Sequence, residues 1–368
     1  MPSDSTSSTK EQPASLTGGS TLVRFGVIGI VILSVAGAFL YLGGSFTPNA
    51  LTPARFADAF ERAGGIYSGF RRNHAKGVCV SGFFESNGQG TRLSKAAIFG
   101  TGRVRVIGRF SLSGSDPHVS DAPDTVRGLG LLFWLPDGEE WRTAMINLPV
   151  FPVNTPQAFF DRLVTTQPDA KTHKPDPEKM AAFLASHPET VQAIKIIKSH
   201  AVSSGFDNSA YNGLNAFRFV DAGGTSIPVR WSMVPVQRFE AASTTGTAQG
   251  DKNYLSYALI ASILQHPLQW HLIITLGQPG DRTDDASVAW PDGREQVDVG
   301  TLTLDSVESE ETSPARDINF DPLVLPAGIT PSDDPLLSAR SAVYSQSFTR
   351  RAGEKKEPSA ITPSDVRK

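Results

Sequence analysis

The sequence predicts an α+β fold with an antiparallel sheet or barrel, preceded by one N-terminal transmembrane helix. The apolar segments follow the order strands, helices, strands and a final helix, which favours antiparallel strands over β–α–β units. The 33 glycines and 26 prolines exceed average usage and indicate many turns. Residues 25–42 carry no charged side chain, and a run of this length fits a membrane-spanning helix.

Composition and charge exclude several classes of protein. Hydrophobic residues make up 39% and charged residues 19% of the chain, which excludes a disordered polar chain and a polytopic membrane protein. The 34 basic and 37 acidic residues give a net charge of −3, which argues against a nucleic-acid partner. Cys79 is the single cysteine, so an internal disulfide and a cysteine cluster for zinc or iron–sulfur are excluded.

The beginning of the chain is predicted to form a tail and a membrane anchor. Residues 1–23 are rich in Ser, Thr and Gly and are expected to be disordered. The apolar run within 24–43 would form a helix about 27 Å long. Arg24 and Lys10 lie on its N-terminal side, so the positive-inside rule places the rest of the chain outside the cytoplasm, on the periplasmic side in a bacterium. A cleaved signal peptide is the alternative, disfavoured by the long polar start and by the lack of a clear cleavage site after Leu42.

A globular region is predicted over 48–352 and a polar tail over 353–368. Roughly 300 residues are ample for a large hydrophobic core. The region opens at 52–63 with a Thr-Pro start and with Phe56 and Phe60 at helical spacing. This pattern predicts a short helix.

Strands and further helices follow along the chain. Apolar and basic residues alternate at 103–106, which indicates a half-buried strand. Residues 128–135 form a continuous apolar run that ends in a Pro-Asp-Gly turn, which predicts a buried strand. Amphipathic stretches between 177 and 200 predict two helices separated at Pro188. The remaining predicted elements are strands at 216–220, 229–234, 270–276 and 297–305, and helices at 254–265 and 335–351.

Three separated motifs carry the chemistry. The first is Arg-Arg-Asn-His-Ala-Lys-Gly at 71–77, and the second is Arg-Phe-Ser at 109–111, followed by Asp-Thr-Val-Arg-Gly at 124–128. The third is Phe-Asp-Pro-Leu-Val-Leu-Pro-Ala-Gly-Ile at 320–329, which leads to an Arg-x-x-x-Tyr segment at 340–344. Their order and spacing resemble those of the haem catalases.

This resemblance extends from 54 to 351, with further agreement at 149–151, 211–213 and 299–302. The chain is shorter than an ordinary catalase and lacks its C-terminal helical region, so it looks most like the catalase-related peroxidases, a minimal branch of that superfamily. The resemblance implies an eight-stranded antiparallel β-barrel surrounded by helices, with haem b and its iron as cofactor. It also implies a peroxidase that reduces hydrogen peroxide or small organic hydroperoxides with an external electron donor and has weak catalase activity.

The resemblance assigns roles to eight residues. His74 is the expected distal base, Ser111 is expected to orient it, and Tyr344 is the expected iron ligand. Arg340 lies four residues before Tyr344, on the same helix face, where its charge would stabilise the phenolate. Tyrosinate is a known haem ligand. The remaining residues are expected to contact the haem itself, through its propionates (Arg71, Arg109 and Arg351) or its ring face (Phe159).

One position departs from the pattern of the catalases. They carry a distal asparagine where this chain has Ile146, and Asn147 matches the neighbouring position. That asparagine donates a hydrogen bond to bound peroxide, so its loss should weaken the oxidation of a second peroxide molecule. A cycle completed by an external donor should be affected less.

Other functions stay open on the sequence alone. The same fold could support a true catalase, the rearrangement of fatty-acid hydroperoxides as in the allene oxide synthase branch, or a haem-binding module without turnover. The presence of both His74 and Tyr344 disfavours the last of these. The expected partners are peroxide, a small reducing substrate and, through the N-terminal helix, a membrane. The donor, the preferred peroxide size and any oligomeric state are left unassigned.

Overall fold

The computed structural model describes residues 18–42, 50–169, 171–172, 174–242 and 251–366. The chain divides into two compact units, 1–52 and 53–368, and each is described by itself. Most of the tail expected at the start of the chain, 1–17, lies outside the described residues.

Helix α1 (Gly18–Leu42) belongs to the first unit. Its segment Val23–Tyr41 has a mean hydropathy of 2.3 and is long and apolar enough to cross a membrane. A signal sequence near an N-terminus has the same properties. The helix begins at Gly18 rather than at the predicted Arg24, because helical backbone hydrogen bonds do not require apolar side chains and extend into the small residues that precede the apolar run.

A closed antiparallel barrel forms the centre of the second unit. In its described part, ten strands share one sheet. They are β1 (Gly77–Ser86), β2 (Gly102–Leu112), β3 (Arg127–Trp134), β4 (Glu140–Ile146), β5 (Tyr211–Asn212), β6 (Phe217–Val220), β7 (Ser226–Pro235), β8 (Leu268–Leu276), β9 (Gln296–Glu308) and β10 (Ile329–Pro331). Eight of them pair in the order β7, β5, β4, β3, β2, β1, β9, β8, and the pairing of β8 with β7 closes the barrel. This confirms the predicted α+β fold with an eight-stranded barrel.

The side chains of β2 alternate between the barrel interior and its outer face. Phe110 packs in the interior, where its ring lies 5.6 Å from that of Phe206 and 5.7 Å from that of Trp270. Arg109 and Ser111 therefore lie on the outer face, because successive side chains of a strand point to opposite sides. Both are buried, since other segments cover this face of the barrel. The outer face of β2 can thus hold polar groups away from bulk water.

Six helices of the second unit are described: α2 (Pro53–Gly64), α3 (Pro156–Thr165), α4 (Pro177–Ser186), α5 (Pro188–Ser199), α6 (Tyr254–Gln265) and α7 (Pro335–Ala352). Five of them begin with proline, whose fixed φ and missing N–H suit the first turn of a helix. Asp334 caps α7, because its carboxylate accepts a hydrogen bond from the N–H of Leu336 at 2.9 Å. The helices predicted at 254–265 and 335–351 are confirmed, whereas α3 and the strands β1 and β4 were not predicted.

Residues 353–366 pack against the rest of the second unit, although their composition predicted a polar tail. Glu354 forms an ion pair with Arg72 and accepts a hydrogen bond from the N–H of Gly69 at 2.8 Å. Ile361 is only 3% exposed and packs in the main hydrophobic core. Composition did not predict this packing, because it depends on contacts with residues that are distant in the chain.

Candidate active site

A cavity of about 280 Å³ is lined by residues of β2, β3 and β4 and of the helices α2, α3 and α7. Aromatic rings of Phe56, Phe60 and Phe151 form part of its wall. All eight residues predicted from the sequence line this one cavity: Arg71, His74, Arg109, Ser111, Phe159, Arg340, Tyr344 and Arg351. The fold therefore brings together residues that are far apart in the chain.

The backbone at His74 adopts a positive φ of 59°, which is uncommon for a residue other than glycine and persists only where the surroundings hold it. Arg109 supplies that support, since its Nη1 donates to the carbonyl of His74 at 2.8 Å and its Nη2 to the carbonyl of Ala75 at 2.7 Å. Arg109 is itself fixed by a 2.5 Å ion pair with Glu310, and both side chains are 3% exposed. A buried ion pair thus determines the backbone conformation of the histidine.

Asn73 supports the same turn from the other side. Its Oδ1 accepts hydrogen bonds from the N–H of His74 at 3.0 Å and from the N–H of Gly114 at 2.9 Å. Asn73 also lines the cavity. The loop before β1 is therefore held by side chains at both flanks of His74.

The imidazole of His74 is fixed by one hydrogen bond and one close contact. Its Nδ1 lies 3.0 Å from the hydroxyl of Ser111. A Cβ at Gly128 would lie 2.9 Å from that hydroxyl and 3.1 Å from the ring, so the absence of a side chain at Gly128 makes room for this arrangement. Burial and the charges of Arg109, Arg71 and Arg340 lower the pKa of His74 to about 3. The imidazole is therefore neutral near pH 7 and can accept a proton.

Arg340 and Tyr344 lie one turn apart on α7. The guanidinium carbon of Arg340 lies 5.8 Å from the centre of the Tyr344 ring. Arg340 is held by Asn215 and by the carbonyl of Ala144, the latter at 2.9 Å from its Nη2. Within the described residues the Tyr344 hydroxyl makes no hydrogen bond. It is thus free to bind a ligand in the cavity.

Arg71 and Arg351 add positive charge to the cavity wall without an ion-pair partner in the described residues. Nη2 of Arg71 donates to the carbonyls of Ala315 and Ile318 at 3.0 and 2.9 Å. Nη1 of Arg351 donates to the carbonyl of Arg316 at 2.6 Å, and its Nε is buried without a hydrogen-bond partner. Burial and neighbouring arginines lower the pKa of Arg351 to about 10 and that of Arg71 well below its usual value. An acidic ligand would relieve this unfavourable burial of charge.

Phe159 packs among other aromatic rings at the cavity. Its ring lies 5.5 Å from that of Phe151, 6.0 Å from that of Phe56 and 6.2 Å from that of Phe60. Helix α3 presents it there because Thr155 caps the helix one turn earlier, accepting from the N–H of Ala158. We call these four phenylalanines the aromatic patch.

Ile146 and Asn147 have different surroundings. Ile146 lines the cavity, and its side chain offers no hydrogen-bond donor. Asn147 is not among the lining residues, and its Oδ1 accepts a hydrogen bond from the N–H of Arg127 at 2.8 Å. The N–H of Asn147 also donates to the carbonyl of Arg127 at 3.0 Å. Asn147 is therefore held away from the cavity by the backbone of β3.

A protein-family model described as catalase matches residues 69–361. The chain belongs to the catalase family. It is 37% identical over 306 residues to a catalase-related peroxidase of Synechococcus elongatus, a match that covers 83% of this chain and 90% of that protein. It is 31% identical to a catalase-related peroxidase of Mycolicibacterium paratuberculosis over 83% of this chain and 96% of that protein. These similarities confirm the predicted family.

Solved catalase structures share the fold. A fungal catalase superposes with a TM-score of 0.71 at 20% identity, over 78% of this chain and 60% of that one. Catalase A of Saccharomyces cerevisiae gives a TM-score of 0.70 at 19% identity, over 78% of this chain and 62% of that one. The chain thus spans about three fifths of the length of these catalases. The closed barrel and its helices match the catalase fold.

Three residues around the cavity of this catalase-family member were missed from the sequence. Glu310 lies 201 residues from its partner Arg109, so no local pattern connects them. Asn73 was part of a motif without an assigned role, although asparagine is typical of such turns. Arg162 lies on α3, which was not predicted; its spacing of three residues from Phe159 could have placed both on one helix face.

Proposed function

We propose that the chain is a haem peroxidase that reduces hydrogen peroxide or small organic hydroperoxides with electrons from an external donor. The observation that carries this proposal is the cavity, which is lined by all eight residues expected of such a site. They come from positions as distant as 71 and 351, so their convergence is not a consequence of sequence proximity. Membership of the catalase family supports the same activity.

The residues around the cavity fit haem b. The Tyr344 hydroxyl, which has no hydrogen bond within the described part of the chain, would ligate the iron, and the nearby charge of Arg340 would favour the phenolate. Arg71 and Arg351 lack ion-pair partners among the described side chains and would bind the propionates. When bound, haem would supply the iron that passes electrons from the donor to peroxide.

Arg109 and Phe159 would complete the haem contacts. Phe159 would stack on the haem face, as part of an aromatic wall that excludes water. The three guanidinium nitrogens of Arg109 already donate to Glu310 and to the carbonyls of His74 and Ala75. We therefore propose that Arg109 contributes positive charge towards the propionates and also positions the histidine backbone.

His74 would act as the general base. Its Nδ1 is engaged with the hydroxyl of Ser111 at 3.0 Å, so Nε2 is the atom that can take a proton from peroxide and return it to the departing oxygen. The lowered pKa of His74 keeps this atom unprotonated near neutral pH. Ser111 would hold the ring in the orientation and the tautomer that this transfer requires.

The side chains at 146 and 147 favour peroxidase over catalase turnover. Ile146 cannot donate a hydrogen bond to a second peroxide molecule, and Asn147 is bound to the backbone of Arg127. We expect Ile146→Asn to raise oxygen evolution relative to donor oxidation. Ile146→Val, which changes size without adding a donor, serves as the control. Oxygen evolution from the unaltered protein at the rates of ordinary catalases would contradict this part of the proposal.

The proposal is tested on the purified protein. We expect a haem absorption spectrum with tyrosinate ligation, a rapid spectral change on addition of hydrogen peroxide, and a return to the starting spectrum when a small phenol such as guaiacol is added and oxidised. Protein that purifies without haem and does not bind it when it is supplied would contradict the proposed function. Bound haem with no reaction towards peroxide would instead indicate a binding module.

We further propose that α1 anchors the enzyme in a membrane, with the haem domain on the periplasmic side if the organism is bacterial. The apolar length of Val23–Tyr41 and the basic residues before it support this orientation. Cell fractionation should place the full chain with membranes and a chain lacking residues 1–45 with soluble proteins. A mature N-terminus after Leu42, found by mass spectrometry, would show a signal peptide instead.

A further inference from the structure

Arg162 differs from the other arginines at the cavity. Five arginines of the cavity wall bond to protein carbonyls or carboxylates: Arg71, Arg72, Arg109, Arg340 and Arg351. Arg162 also lines the cavity, but its guanidinium makes no hydrogen bond or ion pair within the described residues. Its donors are therefore available to a ligand.

Arg162 is held as a partly buried cation. It lies in the last turn of α3, where the carbonyl end of the helix dipole favours a positive charge. Burial lowers the pKa of Arg162, and no neighbouring charge contributes to this shift. A carboxylate ligand would relieve this unfavourable burial of charge.

An apolar surface lies beside this cation. Arg162 is three residues after Phe159 on α3, so the two side chains share one face of the helix. The Phe159 ring packs with Phe56, Phe60 and Phe151 in the aromatic patch. This part of the cavity wall therefore combines a cluster of aromatic rings with a guanidinium that has neither a hydrogen bond nor an ion pair in the described part of the chain.

We propose that Arg162 and the aromatic patch form a subsite for an amphiphilic monocarboxylate, meaning a single carboxylate on an aromatic or aliphatic body. A guanidinium matches a carboxylate with two parallel hydrogen bonds. The rings of Phe56, Phe60 and Phe151 bind the apolar body, while Phe159 would lie between them and the haem. A single guanidinium balances one negative charge, which favours a monoanion over a dianion. The inference rests on the proposed function, because the ligand is then either the reductant or an organic hydroperoxide.

Equilibrium binding tests the subsite without turnover. The haem-containing full chain is titrated with 4-phenylbutanoate and with 4-phenylbutanamide, which share the same body, and binding is followed by calorimetry. We expect the wild-type protein to prefer the acid by tenfold or more, equivalent to about 1.4 kcal/mol. Arg162→Gln should reduce this preference to within about twofold, and Arg162→Lys should restore part of it.

A matched control separates this effect from a general loss of positive charge. Arg238 is exposed and is not among the residues that line the cavity, so Arg238→Gln should keep the wild-type preference for the acid. Equal affinity of the wild-type protein for acid and amide would overturn the subsite. A full preference in Arg162→Gln would also overturn it, because the carboxylate would then bind to another arginine.

Steady-state kinetics identify the source of the carboxylate. One arm compares ferulate with its ethyl ester as the electron donor to hydrogen peroxide, and the other compares linoleic acid hydroperoxide with its methyl ester as the acceptor. In the arm that uses the subsite, Arg162→Gln should raise KM for the acid at least tenfold and change KM for the ester much less. No difference between acid and ester in either arm would overturn the assignment as a substrate subsite.

Failure of this inference can be distinguished from failure of the proposed function. A wild-type protein without haem, or with haem that does not react with peroxide, contradicts the proposed function itself. A haem-containing, peroxide-reactive protein that does not distinguish the acid from the amide contradicts only the carboxylate subsite.

Discussion

The cavity has two polar walls that are held in different ways. The barrel wall consists of His74, Arg109 and Ser111, and the α7 wall consists of Arg340 and Tyr344. In the barrel wall a positive φ at His74 is maintained by Arg109, which is in turn paired with Glu310. In the α7 wall helical spacing places the two side chains on one face, and Asn215 and the carbonyl of Ala144 hold Arg340.

This difference shows how the two walls depend on the rest of the chain. In the α7 wall the pairing of Arg340 with Tyr344 needs only an intact helix, because residues four apart are neighbours on its surface. The contacts of Arg340 with Asn215 and Ala144 leave Tyr344 itself without a hydrogen bond in the described residues. The barrel wall needs contacts between segments that are 37 residues apart for Ser111 and His74, and 201 apart for Arg109 and Glu310. We therefore expect changes in the α7 wall to act locally on the ligand and changes in the barrel wall to act through the protein.

The largest effect is expected at the α7 wall. Tyr344→Phe removes the hydroxyl that we propose as the iron ligand while leaving the helix and the ring in place, so the variant should lose most of its haem. Haem content per protein is measured by absorbance, and circular dichroism checks that the fold is unchanged. Tyr67→Phe, outside the residues that line the cavity, should keep its haem. Full haem occupancy in Tyr344→Phe would show that the ligand lies elsewhere.

At the barrel wall, His74→Asn should abolish the proton transfer without removing the turn. Asparagine tolerates a positive φ but cannot act as a general base. The rate of the spectral change with peroxide is measured by stopped flow. It should fall at least ~10²-fold, since general acid–base groups typically contribute ~10²–10⁴-fold. His266→Ala, at an exposed position, should react normally. A rate within tenfold of wild type for His74→Asn would exclude this histidine as the base.

Glu310→Gln tests whether the barrel wall depends on the buried ion pair. Removing one partner of such a pair leaves an uncompensated charge and typically costs about 3–5 kcal/mol of unfolding free energy. The reaction with peroxide should slow as well. Arg109 would lose the charged partner that positions it to donate to the carbonyls of His74 and Ala75. Glu295→Gln breaks an exposed pair with Arg92 and should cost less than about 1 kcal/mol. Equal losses in the two variants, measured by chemical denaturation, would contradict the distinction between the walls.

The smallest effect on the rate is expected from pH. Because the pKa of His74 is lowered from its usual 6.5 to about 3, the rate of the peroxide step should stay level from pH 8 down to about pH 4.5. The unfolded chain, in contrast, protonates this histidine below pH 6.5, so the stability of the folded state falls as the pH drops towards 3. That contribution is about 1.4 kcal/mol per pH unit and should be absent in His74→Gln. An inflection of the rate near pH 6.5 would show that His74 is solvated.

The same contrast explains which parts of the molecule the sequence could predict. Helical spacing located α6 and α7 and placed Arg340 and Tyr344 on one face. The motif around His74 indicated the barrel wall because of its resemblance to a family, not because of periodicity. Strand β1 was missed because its buried side chains do not alternate strictly with exposed ones, and pairing with β2 and β9 rather than local pattern determines it.

Tertiary contacts account for the remaining gaps. Glu310 shows no local signal, since it follows β9 and its role comes from Arg109 on β2. The same holds for Asn147. Its position next to Ile146 gave no sign that its Oδ1 accepts a hydrogen bond from the backbone of Arg127. Residues 353–366 resembled a tail because the partner of Glu354 is Arg72, 282 residues earlier. Such contacts follow from the closed fold and cannot be derived from spacing.

The ion pair between Arg72 and Glu354 has a consequence for biosynthesis. Arg72, in the loop that carries His74, is synthesised early. Its ion-pair partner Glu354 is synthesised 282 positions later. At about 5–20 residues per second, synthesis of that interval takes roughly 15–60 s. Throughout most of this time α7 and Glu354 have not been synthesised, so the cavity is incomplete on the growing chain. The haem proposed for this cavity would therefore be loaded only after this interval has been synthesised.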